Sequence, residues 1–243
     1  MSNSEQELIE IQEAGEADYL DFKTKDLLEA FGSGNHIPGS GSAAILSALI
    51  GIEMMKTVLQ LSLGKDQYKE KWDEFKHILN LINEQYKPKL IEFFHSDIKE
   101  FHKVSYARRK RDNAEIGSKE RDKLGREASE QLKIATEIPI EICEISFKLL
   151  EHAIYTFDNG FKSAKGDSGV SISNLLSAIS GSLFIIFLNL KSFKKAKWKD
   201  DKMNTAVQLA KQYTEIQRLA YSKVVEMYNE SSNDEEPQLK FDF

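Results

Sequence analysis

Two stretches of this chain, Ala43 to Leu63 and Val170 to about Phe193, are apolar nearly all the way round a helical wheel. In the first, Ile45, Leu46, Leu49, Ile50, Met54, Met55, Val58 and Leu59 leave no polar face to give to water, so the helix must lie in the middle of a domain. Elsewhere the apolar residues also repeat at helical rather than alternating spacing, and only four prolines interrupt them. The expected fold is all-α: a multihelical bundle around two long central helices, whose remaining apolar faces pair in a homodimer. At 243 residues the chain is long enough for one core without a disulfide or structural metal. Cys143 is the only cysteine, which favours a reducing compartment and excludes a thiolate zinc site.

Local signals divide the rest. A short helix is expected over Phe22 to Phe31, then a loop through Pro38 into Gly39-Ser40-Gly41-Ser42, with the first central helix starting at Ala43. Gly64-Lys65 ends it, glycine at the C-cap and lysine on the carbonyl end. Helix resumes from Tyr68 to about Arg108, and Pro88 should kink or split it near Tyr86. A polar loop, Arg109 to Ser118, precedes helix from Lys119 to Thr136, interrupted at Pro139 and continued to Phe157. Asp158-Asn159-Gly160 stops it, a small-residue loop reaches Asp167-Ser168-Gly169, and an amphipathic helix closes the pattern over Asp201 to Tyr228.

The net charge of −6 conceals a pattern. Met1 to Asp18 holds −6 and Glu226 to Phe243 holds −5, so the interior carries +5. The expected organisation is an acidic arm over residues 1–18, one helical domain over 19–229 and an acidic flexible tail over 230–243, either end able to bind a protein partner. Met1 onward lacks the layout of a signal peptide, and the strongly apolar run Leu183 to Leu190 is far short of the ~20 residues that span a bilayer. The expectation is a cytoplasmic protein with no membrane partner.

Chemistry is suggested at few places. Leu90, Phe94, Asp97, Phe101 and Val104 alternate by four and three along one helical seam, and a carboxylate there is costly unless paired or protonated. It reads either as a salt bridge or cap to another helix, or as a catalytic group of raised pKa. The backbone N–H groups of Pro38-Gly39-Ser40-Gly41-Ser42 suit an anionic or carbonyl ligand at a positive helix end, or the small residues simply let two helices approach. Asp167 is placed to cap the second central helix, and Asn189 needs polar partners if buried. His36, His77, His95, His102 and His152 show no metal-ligand spacing, so no metal is expected. Arg108 to Arg126 has acids interleaved and makes nucleic acid an unlikely partner, whereas Lys191 to Lys199 could steer an anion.

In their order, these segments resemble the cyclodeaminase/cyclohydrolase family, which comprises the deaminase half of formiminotransferase-cyclodeaminase and the stand-alone methenyltetrahydrofolate cyclohydrolases. The similarity rests on Pro38-Gly39-Ser40-Gly41-Ser42-Ala43-Ala44, on Leu63-Gly64-Lys65 with Tyr68, on Asp97 with Phe101 and Val104, on Thr136-Glu137-Ile138-Pro139, on Asp167-Ser168-Gly169-Val170, and on Asn189 to Ser192. The resemblance implies an all-helical dimer acting on the one-carbon unit between N5 and N10 of tetrahydrofolate, by hydrolytic opening of the 5,10-methenyl form or cyclising deamination of the 5-formimino form. No cofactor is implied beyond the folate substrate itself. It further implies Asp97 as catalytic base and acid, Pro38 to Ser42 holding the reacting region, Asp167, Gly169 and Asn189 orienting the ligand, and Lys65 and Lys191 meeting the carboxylates of a folate-like tail.

The chain departs from the family pattern where Ser40 interrupts a glycine triplet, Phe161-Lys162 replaces asparagine-proline, Gly166 replaces serine and Ile185 replaces a polar residue. The alternative expectation is therefore an inactive helical dimer of the same fold, binding another small anionic ligand or a protein.

Overall fold

The computed structural model describes residues 17–232, so most of the acidic arm and of the tail, 230–243, lies outside the described residues. The described residues are helical with no strand: α1 Thr24–Gly32, α2 Ser40–Leu63, α3 Trp72–Leu81, α4 Lys87–Asn113, α5 Lys119–Asn159, α6 Lys165–Lys191 and α7 Lys197–Ser231. The two central helices of the expected all-α bundle are α2 and α6.

Small residues set how α2 and α6 meet. A Cβ on Gly51 would lie 3.0 Å from Leu175 Cγ, and one on Gly181 would lie 3.4 Å from Ala44 Cβ. These contacts run in opposite chain directions, so the helices are antiparallel. Ser171 Oγ donates to the Gly51 carbonyl at 2.7 Å and fixes the register. On the other side of α2, Lys87 of α4 pairs with Glu53 at 2.7 Å while Asp97 reaches Ser42, so α4 is antiparallel to α2 as well. Phe75, Phe94, Phe157, Ile52, Met55, Ile142 and Leu149 fill the interior between these layers. Lys202 to Glu137 and Lys223 to Asp158, both at 2.5 Å, lay α7 parallel to α5.

Several boundaries differ from expectation, each for a physical reason. Helix α2 begins at Ser40 rather than Ala43, because Gly39 is its extended N-cap and Ser40 to Ser42 supply the first turn. Gly64 caps the other end with φ −81°, so no left-handed glycine is needed there. Pro88 is accommodated by a π-turn, Ile82–Tyr86, that absorbs the break before α4 starts. Helix α4 continues through Asn113, leaving a loop of only a few residues before Ser118, whose hydroxyl accepts from Arg121 N–H and caps α5. The interruption expected at Pro139 is absent, and α5 runs unbroken past it. An internal proline costs about 3 kcal/mol, but Pro139 lies in a row with buried Ala135, Ile142 and Cys143, whose burial outweighs one lost backbone bond.

Both α2 and the segment Lys162–Lys191 reach the length and hydropathy of a membrane span, with mean hydropathy 1.6 and 1.8. The Leu183 to Leu190 run understates this, because a helix-long average tolerates interspersed serines and glycines. Only about half of each such window is covered inside the bundle, 50% and 44%.

Candidate functional site

Asp97 stands on α4 opposite the first turn of α2. Ser42 Oγ donates to Asp97 Oδ2 at 2.9 Å, and the Ser42 backbone N–H donates to the same carboxylate. That N–H is one of the unpaired donors every helix start leaves over, so the carboxylate takes the place of a cap supplied from another helix. Gly41 makes the approach possible, since any Cβ there would fall within the Asp97 carboxyl group. The seam holds as expected: Leu90, Phe94 and Val104 are buried while Asp97 and Phe101 remain partly accessible. Of the readings of Asp97, the salt bridge does not form but the cap to another helix does, through Ser42; the catalytic reading shares that same carboxyl.

Burial pushes the Asp97 carboxyl up to about 6, against the opposing pull of the Ser42 hydroxyl and N–H. A carboxyl with that value exchanges a proton near neutrality.

Other residues gather at the same end of α2. Ile37 and Pro38 are buried beneath the turn, Gly39 is half-buried and Ser40 exposed. Because α6 is antiparallel to α2, its last turns bring buried Asn189 and exposed Lys191 to this end. Ser182 belongs with them although its sequence context gives no hint of it. Next to the Gly181–Ala44 contact, it is fully covered and its hydroxyl has no hydrogen-bond partner.

The remaining candidates lie away from this end. Lys65 follows α2 and holds its ammonium 4.2 Å above the ring of Phe161. The loop bearing Phe161 is fastened to α2, its N–H donating to Ser62 Oγ at 2.8 Å and the next N–H, of Lys162, donating to Tyr68 Oη at 3.1 Å. Asp167 is not the cap of α6. The helix starts at Lys165 after Ala164, which places Asp167 and Gly169 within its first turns. The structure thus spreads the expected constellation along α2. Pro38 to Ser42, Asp97, Asn189 and Lys191 share one end and Lys65 the other, separated along α2 by about 35 Å at 1.5 Å per residue, while Asp167 and Gly169, just before the Ser171–Gly51 bond at mid-helix, lie between them. A cavity of about 550 Å³, lined by Asp18, His95, Ile98, Lys99 and His102, opens against α4 at the level of Asp97, which does not line it.

The comparisons with known proteins place this all-helical fold in a family. Residues 23–208 match the family model described as Formiminotransferase-cyclodeaminase, and the chain belongs to that family. Among curated proteins it is similar to the methenyltetrahydrofolate cyclohydrolase of Methylorubrum extorquens, 22% identical over 176 residues that cover 72% of this chain and 83% of that one. Among solved structures it resembles the formiminotetrahydrofolate cyclodeaminase of Thermotoga maritima, with a TM-score of 0.71 at 16% identity, covering 86% of this chain and 97% of that one. That likeness shows the shared fold.

Proposed function

We propose that this chain is a cytoplasmic homodimeric enzyme that transforms the one-carbon unit of a tetrahydrofolate derivative, with Asp97 as the group that moves the proton. The observation that carries the reading is the Asp97 carboxyl, held in the Gly41 notch and pushed up to about 6. In hydrolytic opening, the carboxylate takes a proton from water as its oxygen adds to the methenyl carbon. The resulting carboxylic acid returns that proton to N5 as the carbon–N5 bond breaks, while the added hydroxyl loses its own proton to solvent and becomes the formyl oxygen. In cyclising deamination of the protonated formimino group (N5–CH=NH2⁺), N10 attacks the carbon, and the same carboxylate takes the N10 proton and delivers it to the amino group, which leaves as ammonia as its bond to carbon breaks and the methenyl cation forms. Backbone at Gly39 to Ser42 lies against the reacting region, Asn189 orients the heterocycle, and the Lys191 to Lys199 stretch at the same end meets the glutamate carboxylates.

Purified protein is expected to accelerate the absorbance decay of 5,10-methenyltetrahydrofolate, or to release ammonia from the 5-formimino form, with Asp97→Asn removing most of the acceleration. Buffer-level rates with both substrates would sink this reading. A second reading, an inactive dimer binding another small anionic ligand, is favoured by Phe161, whose ring occupies Lys65 in place of an amide side chain. A thermal shift with simple dicarboxylates and none with any folate separates the two, because a ligand bound only by the native state raises its apparent stability.

A further inference from the structure

We propose that the acidic segment preceding Ala17 seats on the outer side of α4, along a cationic stripe that starts at the cavity beside that helix and ends at Lys110.

The cavity gives the stripe its start. His95, Ile98, Lys99, His102 and Lys103 line it from α4, and Ala17 with Asp18 from the chain that enters the fold. At 3.6 residues per turn those α4 positions share one side of the helix, the side turned away from the bond between Asp97 and Ser42. Ile98 forms an apolar floor, 4% exposed, and Asp18 Oδ1 stands 3.8 Å from His95 Nδ1. The same side continues beyond the cavity through Tyr106, Arg109 and Lys110. His102 stacks on Tyr106, and Lys110 holds its ammonium 4.5 Å from the centre of that ring.

The charge on this helix segment is one-sided. Between His95 and Lys110, α4 carries Lys99, Lys103, Arg108, Arg109 and Lys110 against two carboxylates. Asp97 is turned inward to Ser42, and Glu100 holds Lys103 at 2.7 Å. Among the described residues no carboxylate pairs with Lys99 or Lys110.

The occupant follows from where the chain leaves the cavity. Ala17 is part of its wall, so the residues before it emerge onto the stripe with no linker. Those sixteen residues hold Glu5, Glu7, Glu10, Glu13 and Glu16 and no lysine or arginine, with Leu8, Ile9 and Ile11 among them to meet Ile98 and Tyr106. His95 to Lys110 spans about 22 Å, and sixteen residues span about 24 Å even as a helix, so the segment reaches the last cation without stretching. Single exposed ion pairs are weak. A tethered partner, however, is present at millimolar effective concentration, so several together hold it. Seated there, the segment neutralises the outer side of the helix whose inner side carries Asp97, and competes with any other anion for it.

The test uses the full chain at low salt, acylated at its amines in one experiment and treated with a carbodiimide, which joins lysines to touching carboxylates, in another. Mass spectrometry reads both. Lys99 and Lys110 are expected to acylate about threefold or more slowly than in a variant carrying Glu5→Gln, Glu7→Gln, Glu10→Gln, Glu13→Gln and Glu16→Gln, a difference erased at about 1 M salt, where screening acts beyond about 3 Å. Lys25, 85% exposed on α1, is the internal control and should label equally in both. Crosslinks from Lys99, Lys103 or Lys110 to those glutamates should appear in chains that keep the monomer mass on a denaturing gel. They are read on the unaltered sequence, so they do not depend on how the variant behaves. Equal labelling of the two proteins, with no crosslink, overturns the proposal and leaves the stripe to an external acidic partner. Protection that survives the glutamine substitutions overturns it too. Crosslinks found only at twice the chain mass do the same, by assigning the segment to a neighbouring copy.

Discussion

Gly41 has no side chain where the Asp97 carboxyl lies: the two residues, from helices far apart in sequence, occupy one volume that a single methyl group would fill. The candidate proton-transfer group and the helix start that holds it are therefore one construction. Gly41→Ala should force Asp97 out of its notch and break the bond to Ser42. The expected outcome is activity reduced about as far as by Asp97→Asn, at a cost of about 1–3 kcal/mol for overpacking; kinetics beside a urea titration of both variants checks it.

The pH dependence of stability follows from the same carboxyl. Its folded value, about 6, lies above the ordinary 3.8, so the native state binds this proton more tightly than the unfolded chain does. The contribution is fully present below about pH 4 and lost as pH rises through about 6, up to about 3 kcal/mol. Asp97→Asn should flatten that segment of the profile and leave the variant at least as stable as the wild type at pH 7. Denaturation midpoints measured between pH 4 and 7.5 test this.

Ser42→Ala removes the hydroxyl that opposes burial at Asp97. The carboxyl should titrate higher still, so the ascending limb of the pH–rate profile, which reports deprotonation of the base, should move to higher pH. A limb unmoved by the substitution would show that another group carries it.

Gly160 closes α5 where a Cβ would sit 2.6 Å from the Thr156 carbonyl and 2.8 Å from Val58. Gly160→Ala is expected to destabilise the fold by about 1–3 kcal/mol and to displace the neighbouring Phe161 from beneath Lys65. Calorimetry reads the first effect. Loss of ring-current shielding at the Lys65 side chain in NMR spectra reads the second.

Cys143 is fully buried, and burial with Glu144 nearby pushes its thiol up to about 12. It should stay unmodified by thiol reagents in the native state and react at once in denaturant, so labelling kinetics report global opening.

Much of this architecture was readable in the chain. Helices α2 and α6 announce themselves by lacking a polar face, and Asp97 by its place in a four-three alternation among aromatics. What escaped was decided by contacts distant in sequence. Ser40 to Ser42 look like loop residues until Gly39 caps them and Asp97 fills their donors. Pro139 reads as a stop until its neighbours are buried. Asp167 looks like a cap because nothing local reveals that α6 begins two residues earlier. The motif order named nearly every polar candidate, yet could not say which end of a helix each would occupy, because that depends on the antiparallel register of α2 and α6. Ser182 carried no signal at all, being one serine among several on α6.

Phe157 lies between the ammonium groups of Lys165 and Lys223, at 4.9 and 5.7 Å from its ring centre, and the same lysines hold Glu226, Glu230 and Asp158. At its start, α7 is anchored by Trp198 against Phe193, 5.0 Å between rings, together with Lys202 on Glu137 at 2.5 Å. One helix is thus fastened by two kinds of physics. Dissolved electrolyte screens charges set more than about 8 Å apart under physiological conditions, whereas Lys165 and Lys223 are largely buried and hold their carboxylates at 2.5–2.9 Å, so added salt should loosen the far end of α7 little.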